Sequence, residues 1–204
     1  MGVIPPVSHP DRRTVLRSGL AIVALGAVGA ATGCTASPKP GASPARHGLI
    51  GPDSPQVAAA EAARHATGGT VPAGVAPQAG QVDLGGPVVP TWSYAGQIPG
   101  PEIRVRRGQV LEALLVNRLP AETTVHWHGV AIRNDMDGVP GMTQAPVASG
   151  AEFTYRFAVA EPGTYWYHPH VGVQLDRGLY GPLIVEDPAE PAGWDHDWTV
   201  MLDD

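Results

Sequence analysis

Phe153-Thr154-Tyr155-Arg156-Phe157-Ala158-Val159 is the stretch that settles the fold class. Large apolar residues stand at every second position, with Thr154, Arg156 and Ala158 between them. Side chains on a strand alternate between faces, so this period of two predicts a half-buried strand. The same pattern recurs upstream, where Ile103 and Val105 alternate with Arg104 and Arg106. Downstream, Leu183-Ile184-Val185 reads as a strand buried on both faces. Turn signals separate these segments at Ile98-Pro99-Gly100-Pro101, Arg107-Gly108, Asp137-Gly138, Ser149-Gly150, Pro162-Gly163 and Gly181-Pro182. Short strands at near-regular spacing predict an all-β protein, a Greek-key β-sandwich of about 120 residues occupying 81–204.

Composition supports this reading. Of 204 residues, 26 are glycine and 22 proline, which excludes a long-helix or coiled-coil protein because both break helices. The formal charge is −6 and the basic residues form no run, so nothing draws the chain to nucleic acid. The one cysteine, Cys34, excludes an intrachain disulfide and a cysteine-rich zinc site. Metal chemistry, if present, rests on histidine.

Residues 1–34 read as an export signal. Asp11-Arg12-Arg13-Thr14-Val15-Leu16-Arg17 precedes an uncharged stretch, Ser18 to Gly33, that is short for a permanent membrane span. The paired arginines resemble a twin-arginine signal; the other reading is the positive end of a general secretory signal. Ala31-Thr32-Gly33-Cys34 resembles a bacterial lipobox, departing from it at Ala31. Lipidation at Cys34 and simple cleavage after Ala30 are the alternatives, so the product is exported to the cell surface or periplasm with or without a lipid anchor. Removal of 1–34 takes away three arginines and one aspartate and leaves 10 basic and 18 acidic residues.

Residues 35–80 read as a flexible linker. Their 46 positions hold 14 Gly or Pro and 12 Ala, too little apolar side chain to offset the entropy of ordering. Within them Ser54-Pro55-Gln56 through Ala66 carries a cap, a first-turn proline and an Ala-rich run, the signature of a short, marginal helix.

Two histidine pairs carry the chemistry. Val125-His126-Trp127-His128-Gly129 and Tyr167-His168-Pro169-His170 each set two imidazoles two residues apart, which on a strand aims both rings to one face. Placed at random, the eight histidines would give roughly 0.3 such spacings, against the two present. Side by side, the pairs would gather four imidazoles with no thiolate, a donor set suited to copper, zinc, iron or nickel.

The flanking sequence is similar to the first cupredoxin domain of the laccase-like bacterial multicopper oxidases. The similarity runs from residue 91 to 187 through Tyr94 to Val105, Asn117-Arg118-Leu119-Pro120, His126-Trp127-His128-Gly129, Asp135-Met136-Asp137-Gly138-Val139-Pro140, Thr143-Gln144, Pro162 to His170 and Gly178 to Val185. The resemblance implies a cupredoxin-like fold with copper as cofactor. It assigns His126 to a type 2 copper, His128 to a type 3 copper, and His168 and His170 to the type 3 pair, one to each. These four would be half the ligands of a trinuclear cluster that reduces dioxygen to water, with electrons from a substrate oxidised at a type 1 copper. Relatives oxidise phenols, aromatic amines or reduced metal ions, and the donor here is left open.

Asp137 follows the first motif where the family places an acid near the cluster, and such a carboxylate could relay protons to dioxygen reduction. Asp137-Gly138 also makes a turn, and one residue can do both. Asp135 reads as a loop residue. Trp127 and Trp166 read as packing that orients the rings and dries the site. Arg104, Arg106 and Arg107 read as solvated, and His9, His47, His65 and His196 lie away from the motifs.

A type 1 copper needs a cysteine thiolate beside two histidines, and Cys34 stands in the export signal. Asp197-Trp198-Thr199-Val200-Met201-Leu202-Asp203-Asp204 alternates like the strand that in the family leads to a second domain. The chain therefore reads as the N-terminal part of a multicopper oxidase, truncated, inactive alone and completed by further cupredoxin domains. The reading from a different class is an exported copper-binding module that sequesters or delivers the metal without oxidase activity.

Overall fold

The structure is a computed structural model that describes residues 50–203 apart from 65, 67 and 192. The expected export signal, with Cys34, lies outside the described residues. Among the described residues nine strands follow one α-helix, α1 (Pro55–Ala63): β1 (Thr70–Val75), β2 (Pro77–Asp83), β3 (Val88–Tyr94), β4 (Ile103–Arg106), β5 (Val110–Val116), β6 (His126–His128), β7 (Glu152–Ala158), β8 (Gly163–His168) and β9 (Gly181–Glu186). They form a three-stranded sheet ordered β1-β5-β7, a four-stranded sheet ordered β4-β9-β8-β6, and the β2-β3 hairpin. Strands adjacent in space are rarely adjacent in sequence. The chain crosses between the sheets, as the expected Greek-key sandwich requires.

The alternation read from sequence sets what each sheet buries. Tyr155 and Phe157 of β7, with Leu111, Ala113 and Leu115 of β5, face Ile103, Val105, Trp127, Tyr167, Leu183 and Val185 of the opposite sheet. Trp127 is 0% exposed and meets Tyr155, Phe157 and Tyr167 at ring-centroid distances of 5.6, 5.2 and 5.9 Å. The first two are edge-on and the third tilted, and such aromatic contacts add to the burial itself.

Of the linker expected over 35–80, residues 35–49 lie outside the described residues, and 70–75 and 77–80 are in strands rather than linker. The helix forms, capped by Ser54, whose Oγ accepts the Val57 N–H at 3.3 Å, but it buries no residue. Beyond it, β1 pairs in parallel with β5 from Thr70↔Val110 to Val75↔Leu115, and β2 starts at Pro77. The folded domain thus begins near Thr70, not at Gln81. Along β1 only Val75 is fully buried, at 1% exposed, so the strand is held mainly by its backbone ladder. The side-chain composition of 70–80 carries little trace of that ladder.

Arg104 is not merely solvated. On edge strand β4 it pairs with Glu102 at 2.8 Å, Glu186 at 3.3 Å and Asp197 at 2.9 Å. Thr199 donates to Glu102 at 2.6 Å and Tyr180 to Asp203 at 2.5 Å. Trp198, Val200 and Leu202 point the other way, exposed. The segment after Asp197 therefore keeps the predicted alternation without joining a ladder among the described residues. No helix among these residues is long and apolar enough to cross a membrane.

Candidate metal centre

The four histidines of the two motifs come together on one face of the four-stranded sheet. Strand β6 pairs antiparallel with β8 in the register His126↔His168, Trp127↔Tyr167, His128↔Trp166. That register turns Trp127 and Tyr167 into the core and His126, His128, Trp166 and His168 outward. His170, just past the end of β8, returns to the same place, its ring centroid 4.4 Å from that of His126 and 5.2 Å from that of His168. Donor nitrogens of His126, His168 and His170 lie within 4.8 Å of one another. His128 joins through Nδ1, which stands 3.2 Å from Nε2 of His168.

The atoms behind each ring decide which nitrogen faces the cluster. His126 Nδ1 lies 2.9 Å from the Asp137 carbonyl and 3.1 Å from Asp137 Oδ1. Both are acceptors, so Nδ1 carries the proton and Nε2 keeps its lone pair. His168 likewise donates from Nδ1 to the Pro169 carbonyl at 3.0 Å, leaving Nε2 towards His128. Burial, reinforced by the neighbouring imidazoles, pushes His168 down to about 4, and burial with His126 beside it also lowers His170. His168 is thus neutral, as metal ligation requires, across the physiological range.

These donors fit a metal. Two imidazole nitrogens sharing one ion at about 2.0–2.1 Å each stand roughly 2.9–3.4 Å apart for bond angles from about 90° to 109°. The 3.2 Å between His128 Nδ1 and His168 Nε2 falls inside that range. The donor set is all imidazole, which suits copper.

Trp166 stacks on His128 at 4.6 Å and on His168 at 4.2 Å, each at 27°, so it fixes two rings at once. Asp137 follows a short 3-10 turn, Asn134–Met136, and touches the back of His126. Gly138 must be glycine: its φ is +73°, and a Cβ there would sit 1.9 Å from the Val125 carbonyl oxygen. Turn and acid therefore coincide at Asp137-Gly138. Two contributions escaped the sequence reading. Thr124, fully buried, accepts the His170 N–H on Oγ at 3.4 Å; its place two residues before His126 was the available signal. Asp135, read as a loop residue, is gripped by Arg133. His196 lies exposed among charged residues, apart from the cluster.

A family profile described as "Multicopper oxidase" matches residues 78–190. The multicopper oxidase MmcO of Mycobacterium tuberculosis is 53% identical over 146 residues, 72% of this chain and 29% of its own length. Copper resistance protein A of Pseudomonas syringae is 44% identical over 53% of this chain and 18% of that protein. Among solved structures, a multi-copper oxidase from Pseudomonas thermotolerans matches with a TM-score of 0.55 and 44% identity, over 62% of this chain and 32% of that one. The laccase of Botrytis aclada matches with a TM-score of 0.57 and 36% identity, over 59% and 23%. This chain thus spans less than a third of the length of these curated relatives.

Proposed function

This chain belongs to the multicopper oxidase family, and on that premise we propose that it supplies half of a trinuclear copper cluster. The observation that carries the reading is the convergence of four imidazoles with His128 Nδ1 and His168 Nε2 only 3.2 Å apart. In this reading His128 and His168 share one type 3 copper, His170 holds the other, and His126 presents Nε2 to the type 2 copper. Four further histidines come from other cupredoxin domains of the parent protein. They meet this face at β6, the edge strand on which His128 is exposed. Copper so bound would supply one-electron steps that together reduce dioxygen to water, fed from a type 1 site in those domains.

The chain's own residues do the supporting work. Asp137 holds the His126 Nδ1 proton on its carbonyl and carboxylate, fixing tautomer and ring angle. Dioxygen reduction consumes protons, and the Asp137 carboxylate, about one third exposed, is placed to pass them from solvent. Trp166 stacks on the faces of His128 and His168 and holds the two rings in place. The parent is exported by the signal in residues 1–34, anchored through a lipidated Cys34 or cleaved after Ala30.

His128→Ala in the parent oxidase tests the reading. Dioxygen consumption should be abolished while the type 1 copper absorbance persists; retained consumption would overturn the ligand assignment. The exposure of His128 and His170 also suits a module that takes up copper and hands it on. That alternative requires the chain alone to bind copper and release it to an acceptor, with no oxidase arm.

A further inference from the structure

The turn that carries Asp137 is stapled from behind. We propose that Arg133 and Asp135 are positioning residues, whose ion pair locks this turn so that Asp137 presses on His126 and fixes which nitrogen faces the cluster. The proposal rests on the reading of His126 as a ligand.

A three-residue 3-10 turn has poor hydrogen-bond geometry and little to hold it. Asn134–Met136 has two backbone bonds at its start and end, Met136 N–H to the Arg133 carbonyl at 3.1 Å and Asp137 N–H to the Asn134 carbonyl at 3.2 Å. The rest comes from side chains. Arg133 donates from Nε to Asp135 Oδ1 at 2.6 Å and from Nη2 to Asp135 Oδ2 at 2.9 Å, a two-pronged pair. Such forks are geometrically specific as well as strong. Both partners are largely shielded, their side chains 25% and 20% exposed, so water screens the pair less than an open surface bridge.

The arginine is also tied backwards. Its Nη2 reaches the Pro52 carbonyl at 3.4 Å, just before α1. At the other end of that helix Arg64 bonds Glu61 at 2.8 Å and donates to the carbonyl of Ala131. Segment 50–64, which buries nothing of its own, thus braces the loop 131–135 from outside. On the inner side Gly138 packs on the Val125 carbonyl. Between these two constraints Asp137 has one place to go, against His126 Nδ1. Releasing the fork frees the outer side of the turn, lets Asp137 withdraw, and leaves the His126 proton to choose between its two nitrogens.

The test reads that proton directly. In the copper-free chain labelled with nitrogen-15 histidine, long-range proton–nitrogen correlations report the His126 tautomer, with Asp137→Ala showing what loss of the contact looks like. Arg133→Gln and Asp135→Asn should each raise the Nε2–H form at least about fivefold, with the Trp127 indole resonance unmoved as evidence of an intact core. Copper(II) affinity measured by competition should fall about tenfold, the low end for an outer-shell partner. A His126 that stays wholly Nδ1–H in both folded variants would overturn the proposal. Should the wild-type chain show the Nδ1–H form and bind no copper, the ligand reading fails while the positioning result stands.

Discussion

His126 and His168 are direct cross-strand partners of β6 and β8, their ring centroids 5.3 Å apart. Residues so opposed share a face by the pleat, and this register brings the two motifs together. A slip of β6 by one residue would turn His126 and His128 into the core and Trp127 into solvent. The packing of Trp127 therefore sets the position of the clustered histidines.

Replacing Trp127 tests that link. Trp127→Ala removes a side chain with three aromatic neighbours and no exposure, and should cost about 3–5 kcal/mol. Trp127→Phe should cost clearly less, since the Nε1–H has no partner to lose. Urea denaturation of both variants gives the comparison; a loss under about 1 kcal/mol for alanine would mean that Trp127 does not set the register.

Loss of a ligand should separate binding from folding. His168→Ala should reduce copper(II) affinity by more than the roughly tenfold to hundredfold lost with an outer-shell partner. His196→Ala, distant from the cluster and exposed, should leave it unchanged. Competition titration against a chelator of known affinity measures both.

Acid should destabilise the copper-free chain through His168. Its folded value, about 4, lies below the usual histidine range because burial penalises the charged ring. Above about pH 6.5 the ring is neutral in both states and the fold keeps its full contribution. As pH falls from there towards 4, the unfolded chain takes up a proton that the folded chain refuses, so stability drops; below 4 the slope flattens. The urea midpoint of the wild type should fall relative to that of His168→Gln as pH drops from about 6.5 towards 4, the difference between them being flat above that window. Parallel curves would remove His168 as the cause.

Much of this was legible because its causes are local. The alternation at Phe153–Val159 is a property of one strand, and β7 forms there. The His-x-His spacing is likewise local, and β6 turns its two rings to one face. What stayed hidden is tertiary. Thr70–Val75 shows few large side chains, and its order comes from a ladder with β5 some forty residues away. Asp135 looked like a loop residue because its partner's guanidinium can be assigned only once the turn between them is known. The resemblance named His126 as a ligand; the nitrogen it presents was decided by an acid eleven residues on.

The segment from Asp197 on is held by one ion pair and side-chain hydrogen bonds rather than by a ladder, and Arg104 is the hub. Its three carboxylate partners raise its pKa, the Glu102 hydrogen bond most of all, but all four side chains are about a third or more exposed. Exposed pairs contribute about 0–1 kcal/mol each, so Arg104→Ala should barely move global stability. Its effect should be local: with Asp197 released and the Glu102 that holds Thr199 freed, the apolar side chains of Trp198, Val200 and Leu202 lose their support. Limited proteolysis should then cut between 194 and 203 several times faster than in wild type. High salt, by screening the same pairs, should speed cleavage of the wild type towards the variant's rate. Equal cleavage rates in the two chains would show that backbone contacts, not Arg104, hold the segment in place.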